Sequence, residues 1–163
     1  MKLKVLIVCG LMSIVGGCAS FDDGLYDAGD VLSGDFRSLG SSKPATLAEI
    51  CNDFISNQIT GKKKWESQML AINGIITDVS KTSGGKEKIG VSFRDVKKNN
   101  HFGVAYTRNA QMVDESKVEN FKNGDIIKVI AVLEADSLSR MGNRCSFRFE
   151  KARFQPVKQK AKK

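Results

Sequence analysis

The sequence has no apolar run long enough to cross a bilayer. Its longest, Val5 to Val15, is interrupted by Gly10 and Ser13, and a spanning helix takes about 20 residues. There is one histidine, His101, so no second imidazole can share a metal or relay a proton. No cysteine cluster has metal-ligand spacing. No serine stands in a nucleophile elbow, and no glycine-rich phosphate loop is present. No catalytic residue and no metal site is therefore expected. His101 lies in a polar stretch beside Asn99 and Asn100 and reads as a solvated turn residue. The carboxylate pair Asp114-Glu115 adjoins an expected helix start, where capping explains it. No internal repeat is visible, and the lysine tail is the one biased block.

What is present begins with an address. Met1-Lys2-Leu3-Lys4 is basic, a short apolar core follows, and Gly16-Gly17 supply a small-residue cut site. That is the layout of a secretory signal peptide. Val15-Gly16-Gly17-Cys18 resembles the lipobox of bacterial lipoproteins, with an aliphatic residue three before the cysteine. The resemblance implies cleavage between Gly17 and Cys18, a diacylglycerol on the Cys18 thiol and an acyl chain on the new amine. No cofactor beyond that covalent lipid is expected. Ala19, rather than Asp, follows the cysteine; in that family this implies delivery to the outer membrane. The expected location is the cell envelope, anchored by lipid and facing the periplasm.

The expected organisation is a signal peptide at 1–17, a lipidated flexible tether at 18–45, a helix plus barrel domain at 46–155 and a basic tail at 156–163. Removing the signal leaves 146 of 163 residues, enough for one core. The net charge is +8, of which the signal holds +2, the tether −3, the domain +5 and the tail +4. A mildly basic domain with a loose cationic tail fits contact with anionic surfaces better than sequence readout. The tether is rich in Gly, Asp and Ser and has no sustained period, which suits a flexible spacer reaching roughly 30 Å. Its acids lack the spacing of a calcium loop. Of four cysteines, Cys9 leaves with the signal and Cys18 takes lipid. Cys51 and Cys145 remain, and an oxidising periplasm favours their pairing; two buried free thiols are the alternative.

Thr46 and Glu49 form a capping-box pattern that opens a helix over Thr46 to Ile59. Leu47, Ile50, Cys51, Phe54, Ile55 and Ile59 make its apolar face. Gly61 ends it, and Lys62-Lys63-Lys64 suit its negative end. Met69 to Val79 reads as a strand whose inward set shifts at Gly74, from Leu70 and Ile72 to Ile75, Thr77 and Val79. Gly84-Gly85 marks a hairpin turn. Two strands follow, with Ile89, Val91 and Phe93 and then Phe102, Val104 and Tyr106 as their apolar positions. A helix is expected over Asn109 to Phe121, with Asp114 as its cap. A fourth strand carries Ile127, Val129, Ala131 and Leu133. The last carries Cys145, Phe147 and Phe149, with a register slip before Ala152 and Phe154.

Five strands with a helix between the third and fourth is the order of a five-stranded OB-fold, a mainly β barrel with helices. The stretch Ile55-Ser56-Asn57-Gln58 through Trp65, then Ala71-Ile72-Asn73-Gly74-Ile75-Ile76-Thr77-Asp78-Val79, resembles the tRNA-anti-like OB-fold family. Phe121-Lys122-Asn123-Gly124-Asp125 and Asn143-Arg144-Cys145 extend the likeness, which covers roughly residues 46 to 155. It implies the OB-fold and an exported protein or lipoprotein; the family name reflects kinship with anticodon-binding domains. A more distant similarity is to small periplasmic OB-fold stress proteins.

Nucleic-acid-binding OB folds need exposed aromatic platforms and a basic groove. If Ile89, Val91, Phe93, Phe102, Val104 and Tyr106 all face inward, the outer face shows only Gly90, Ser92, Arg94, Gly103 and Ala105. It then has no platform, and export removes the chain from cellular nucleic acid, so that partner is disfavoured. The expected function is a non-enzymatic binding module for an envelope protein, a glycan or anionic lipid. Arg94, Arg144 and Arg148 are the candidate positive patch, against the plainer reading of solvated strand faces. The alternatives are an enzyme with an unrecognised site and a nucleic-acid-binding OB domain.

Overall fold

The structure, a computed structural model, describes Leu32 and residues 41–82, 88–98, 100–107 and 118–157. The chain divides into two compact units, Met1–Gly34 and Asp35–Lys163, and the elements below belong to the second. The signal peptide, Cys18, most of the tether, Gly84-Gly85, Asn99, residues 108–117 with Asp114, and residues 158–163 of the tail lie outside the described residues. Among the described residues, no helix is long and apolar enough to cross a membrane.

The elements are β1 (Lys43–Ala45), α1 (Leu47–Ser56), α2 (Gln58–Trp65), β2 (Met69–Lys81), β3 (Ile89–Asp95), β4 (His101–Tyr106), β5 (Ile126–Leu133), β6 (Ser139–Met141) and β7 (Arg144–Pro156). The protein is mainly β, with one mixed sheet. β2 pairs antiparallel with β3 and, through its first half, with β5. β3 pairs with β4, β4 runs parallel to β7, and β7 returns antiparallel to β5. These pairings form a ring that begins and ends on β2. β1 lies parallel to β2 at an edge, so the tether expected to reach Ala45 gives way to sheet at Lys43. β6 adds to the outer edge of β7. Its sequence gives no sign of a strand, because all three of its residues are exposed and show no alternation.

α1 opens on the expected capping box. Thr46 N–H donates to Glu49 Oε2 at 2.9 Å, and Glu49 N–H donates to Thr46 Oγ1 at 3.1 Å. The single helix expected through Ile59 is two helices. Asn57 has extended backbone (φ −160°), its N–H closes α1 on Asp53 O, and its side chain accepts from Thr60 N–H to start α2. The break turns Ile55 and Ile59 out, to 41 % and 69 % exposure. Leu47, Ile50, Cys51 and Phe54 remain the buried face. Gly61 lies inside α2 rather than ending it. A side chain there would meet Phe54 Cα at 3.0 Å, so its absence lets α2 pack on the end of α1.

β2 corrects a second expectation. Its buried positions keep one parity through Leu70, Ile72, Gly74 and Ile76. The register shifts at Thr77, between the Ile76 and Asp78 pairings, and Val79 then packs on the core. The cause is local. Ile76 N–H donates to Asp125 O and Ile76 O accepts from Gly124 N–H, both at 2.9 Å, so the turn before β5 claims this backbone. Gly74 faces inward, and the ring of Phe93 takes the room a side chain would need: a Cβ there would stand 2.3 Å from Phe93 Cδ2. In β7 the slip falls where expected, around Lys151 with φ +57°. Phe93, Phe147 and Phe149 are fully buried and fill the ring with Leu70, Ile72, Ile76, Ile127, Val129 and Leu133.

Candidate binding face and a histidine–disulfide cluster

β4 carries the main correction. His101, Gly103, Ala105 and Thr107 are buried, whereas Phe102, Val104 and Tyr106 are half-buried and belong to the other face. Residues paired across a ladder share a face. Gly103 pairs with buried Phe93 and Phe147, and Ala105 pairs with buried Val91 and Phe149. The apolar trio expected inside the ring therefore lies on its outer surface.

Volume decides this inversion. A Cβ on Gly103 would stand 2.5 Å from Phe93 Cζ and 3.0 Å from Phe149 Cε2. The rings of β3 and β7 already occupy the interior beside β4, and only small residues fit there. The other parity faces out by default. The signal that the sequence did offer was the small size of Gly103 and Ala105 between strands carrying phenylalanines.

The outer face is built of cross-strand rows. Arg94 on β3 pairs with Phe102, which pairs with Ser146 on β7. Ser92 pairs with Val104, which pairs with Arg148. Gly90 pairs with Tyr106, whose ring edge lies over the glycine, 3.0 Å from where a Cβ would stand. Arg144 shares the parity of Ser146 and Arg148 and is exposed. The structure thus brings Arg94, Arg144 and Arg148 to one face, around two aromatic rings that alternation alone would put inside. Arg148 Nε lies 3.4 Å from Glu134 Oε2, with both side chains substantially in water. Its backbone is held by Ser137, whose Oγ accepts from Arg148 N–H and donates to Arg148 O, each at 3.2 Å.

Behind β4, on the inner face, a second cluster forms. Cys51 of α1 and Cys145 of β7 are joined by a disulfide, with Cα atoms 5.9 Å apart. His101 is the ladder partner of Cys145. It is 4 % exposed, so the expected solvated turn histidine is instead a buried strand residue. Its Nδ1 is buried and has no hydrogen-bond partner among the described residues. Burial lowers its pKa from the ordinary 6.5, Asp95 works in the opposite direction, and Lys98 adds to the lowering. Asp95 is itself buried and accepts through both oxygens. Its Oδ1 accepts from Lys97 and Lys98 N–H, and its Oδ2 accepts from Ala48 N–H at the start of α1.

The lysine run sits in the last turn of α2, where cations suit the helix dipole. Lys62 pairs with Asp136. Lys64 Nζ donates to Asp53 at 2.7 Å, and Trp65 Nε1 donates to the same oxygen at 2.8 Å. Lys43 and Lys64 lie 4.6 and 4.7 Å from the Trp65 ring centroid. Lys62 and Lys64 are thus held by contacts within the protein.

No family model and no curated protein matches the chain. Among solved structures, the fold is similar to that of a "putative nucleic acid-binding lipoprotein" from Klebsiella pneumoniae. The TM-score is 0.52 and the identity 15 %, over 79 % of this chain and 97 % of that one. At that identity the likeness shows a shared fold.

Proposed function

We propose that the chain is a lipid-anchored envelope protein whose OB-type barrel, of the tRNA-anti-like kind, is a non-enzymatic module for a single-stranded nucleic-acid segment. The observation that carries this reading is the outward placement of Phe102 and Tyr106 beside Arg94, Arg144 and Arg148. Flat rings flanked by cations are what stacking on bases and neutralising phosphates require. OB folds bind oligonucleotides on this kind of strand face. The objection that the face lacks a platform falls away once β4 is inverted. The Klebsiella protein, described as a "putative nucleic acid-binding lipoprotein", supports the same direction. The anchor rests on Val15 to Cys18, and labelling with a palmitate analogue is expected to disappear in Cys18→Ala.

Fluorescence anisotropy with a labelled oligothymidylate tests the ligand. Three phosphate contacts give a log–log salt slope near −2, at about 0.7 per contact for single strands. Phe102→Ala and Tyr106→Ala each weaken binding by about 1–3 kcal/mol, and Arg94→Ala flattens the slope. An acidic polysaccharide has charge without flat bases and is expected to bind less tightly. Absence of binding at low salt, or equal binding by a folded Phe102→Ala/Tyr106→Ala protein, refutes the reading.

A further inference from the structure

The cluster behind β4 has more donors than a structural cross-link uses. Cys51 Sγ, Cys145 Sγ and a ring nitrogen of His101 all lie within 4.8 Å of one another. They come from three elements, α1, β7 and β4, each locked into the core. His101 Nδ1 is buried without a partner among the described residues. Buried polar atoms in native proteins are nearly always satisfied, and one that is not calls for an explanation.

We propose that, once the disulfide is reduced, Cys51, Cys145 and His101 bind one zinc ion, which takes over the cross-link between α1 and β7. The chemistry balances. A dithiol or phosphine reductant supplies two electrons; with two protons they convert the disulfide to two thiols. Zinc then displaces both thiol protons, leaving two thiolates and a neutral imidazole on the metal. Zinc bonds to sulfur at about 2.3 Å and to nitrogen at about 2.0–2.1 Å, which sets tetrahedral ligand atoms roughly 3.3–3.8 Å apart. All three donors lie within 4.8 Å of one another; reduction frees the two sulfurs to separate to the tetrahedral spacing, and a Cα separation of 5.9 Å lets side-chain rotation accommodate it. Charge selects a divalent ion. Two thiolates cancel Zn²⁺, whereas a monovalent soft cation leaves a net negative charge in an apolar core, which burial disfavours. Asp95 is occupied by three backbone N–H groups, so the described residues supply three ligands, two sulfurs and one nitrogen. The site lies on the inner face and stands independently of the outer one.

The test uses the purified full chain, oxidised and phosphine-reduced, titrated anaerobically with zinc against a chelating dye, with stoichiometry from native mass spectrometry. One zinc per reduced chain and none per oxidised chain is expected. His101→Gln, first shown to fold when oxidised, is expected to bind more than about 100-fold more weakly, beyond the loss from removing a mere supporting partner. If reduction loosens the fold, zinc is expected to restore the circular-dichroism spectrum of the wild type and not of His101→Gln. A reduced wild type that takes up no zinc overturns the proposal. So does equal uptake by His101→Gln, or uptake that leaves a loosened fold unrestored.

Discussion

Phe93 lies between two absences. Its ring fills the place of the side chain that Gly74 lacks on β2 and of the one that Gly103 lacks on β4. The inner face of three neighbouring strands therefore closes on one ring. Gly103→Ala forces a methyl into that ring and is expected to cost about 1–3 kcal/mol by overpacking, read as a lower urea midpoint with an unchanged m-value. Gly90→Ala meets the edge of Tyr106 and, at ordinary contact distance, Ser80 Oγ, and is expected to cost less. His101 makes a pH prediction. Its pKa is lowered in the folded state, chiefly by burial, so between the folded value and the ordinary 6.5 the unfolded chain binds more protons. Stability of the oxidised protein therefore falls as pH drops below about 6.5. Denaturant melts from pH 7.5 down to roughly 5 measure it, and His101→Gln, which removes the titrating group, is expected to flatten that part of the profile.

Among the elements, β4 is decisive because its parity sets both the core and the outer face. A parity assignment is testable by charge. Ala105→Asp puts an unpaired carboxylate against Val91 and Phe149 and is expected to cost several kcal/mol or prevent folding. Val104→Asp, one residue away, is expected to change stability by less than about 1 kcal/mol. Equal costs, measured by chemical denaturation, would return Val104 to the interior. Much of the element order was legible. The capping box, the alternations of β3, β5 and β7, and the slip near Lys151 all stand where their residues put them. The break at Asn57 was not, because Ile55 and Ile59 continue a helical period that the cap at Asn57 interrupts. The bulge in β2 points to Gly74 when read along the chain alone; the contact that causes it, the Gly124–Asp125 turn bonding to Ile76, lies about 50 residues downstream.

For the whole molecule, the disulfide ties the leading helix to the last strand across 94 residues. A loop of that length is worth on the order of 4 kcal/mol through restriction of the unfolded chain. Cys51→Ala/Cys145→Ala is expected to lose about that much in denaturant melts, while reducing agent is expected to destabilise the wild type and leave the variant unchanged. The ring of strands bears most of the remaining architecture, since β2 pairs on both sides and leaves no free edge along its centre.

The capping box and buried face of α1 and the inward residues of β3, β5 and β7 are written in the chain itself. Periodicity along one segment carries that information, and long runs of branched and aromatic residues state it redundantly. Which side of β4 faces in is settled only by packing, because both of its parities are compatible with a strand. The choice rests on the volume that Phe93, Phe147 and Phe149 bring from neighbouring strands. The same assembly gathered three arginines scattered from 94 to 148 onto one face, and buried His101 against a disulfide whose halves come from opposite ends of the domain. Contacts between residues so far apart in the chain exist only once the ring has closed.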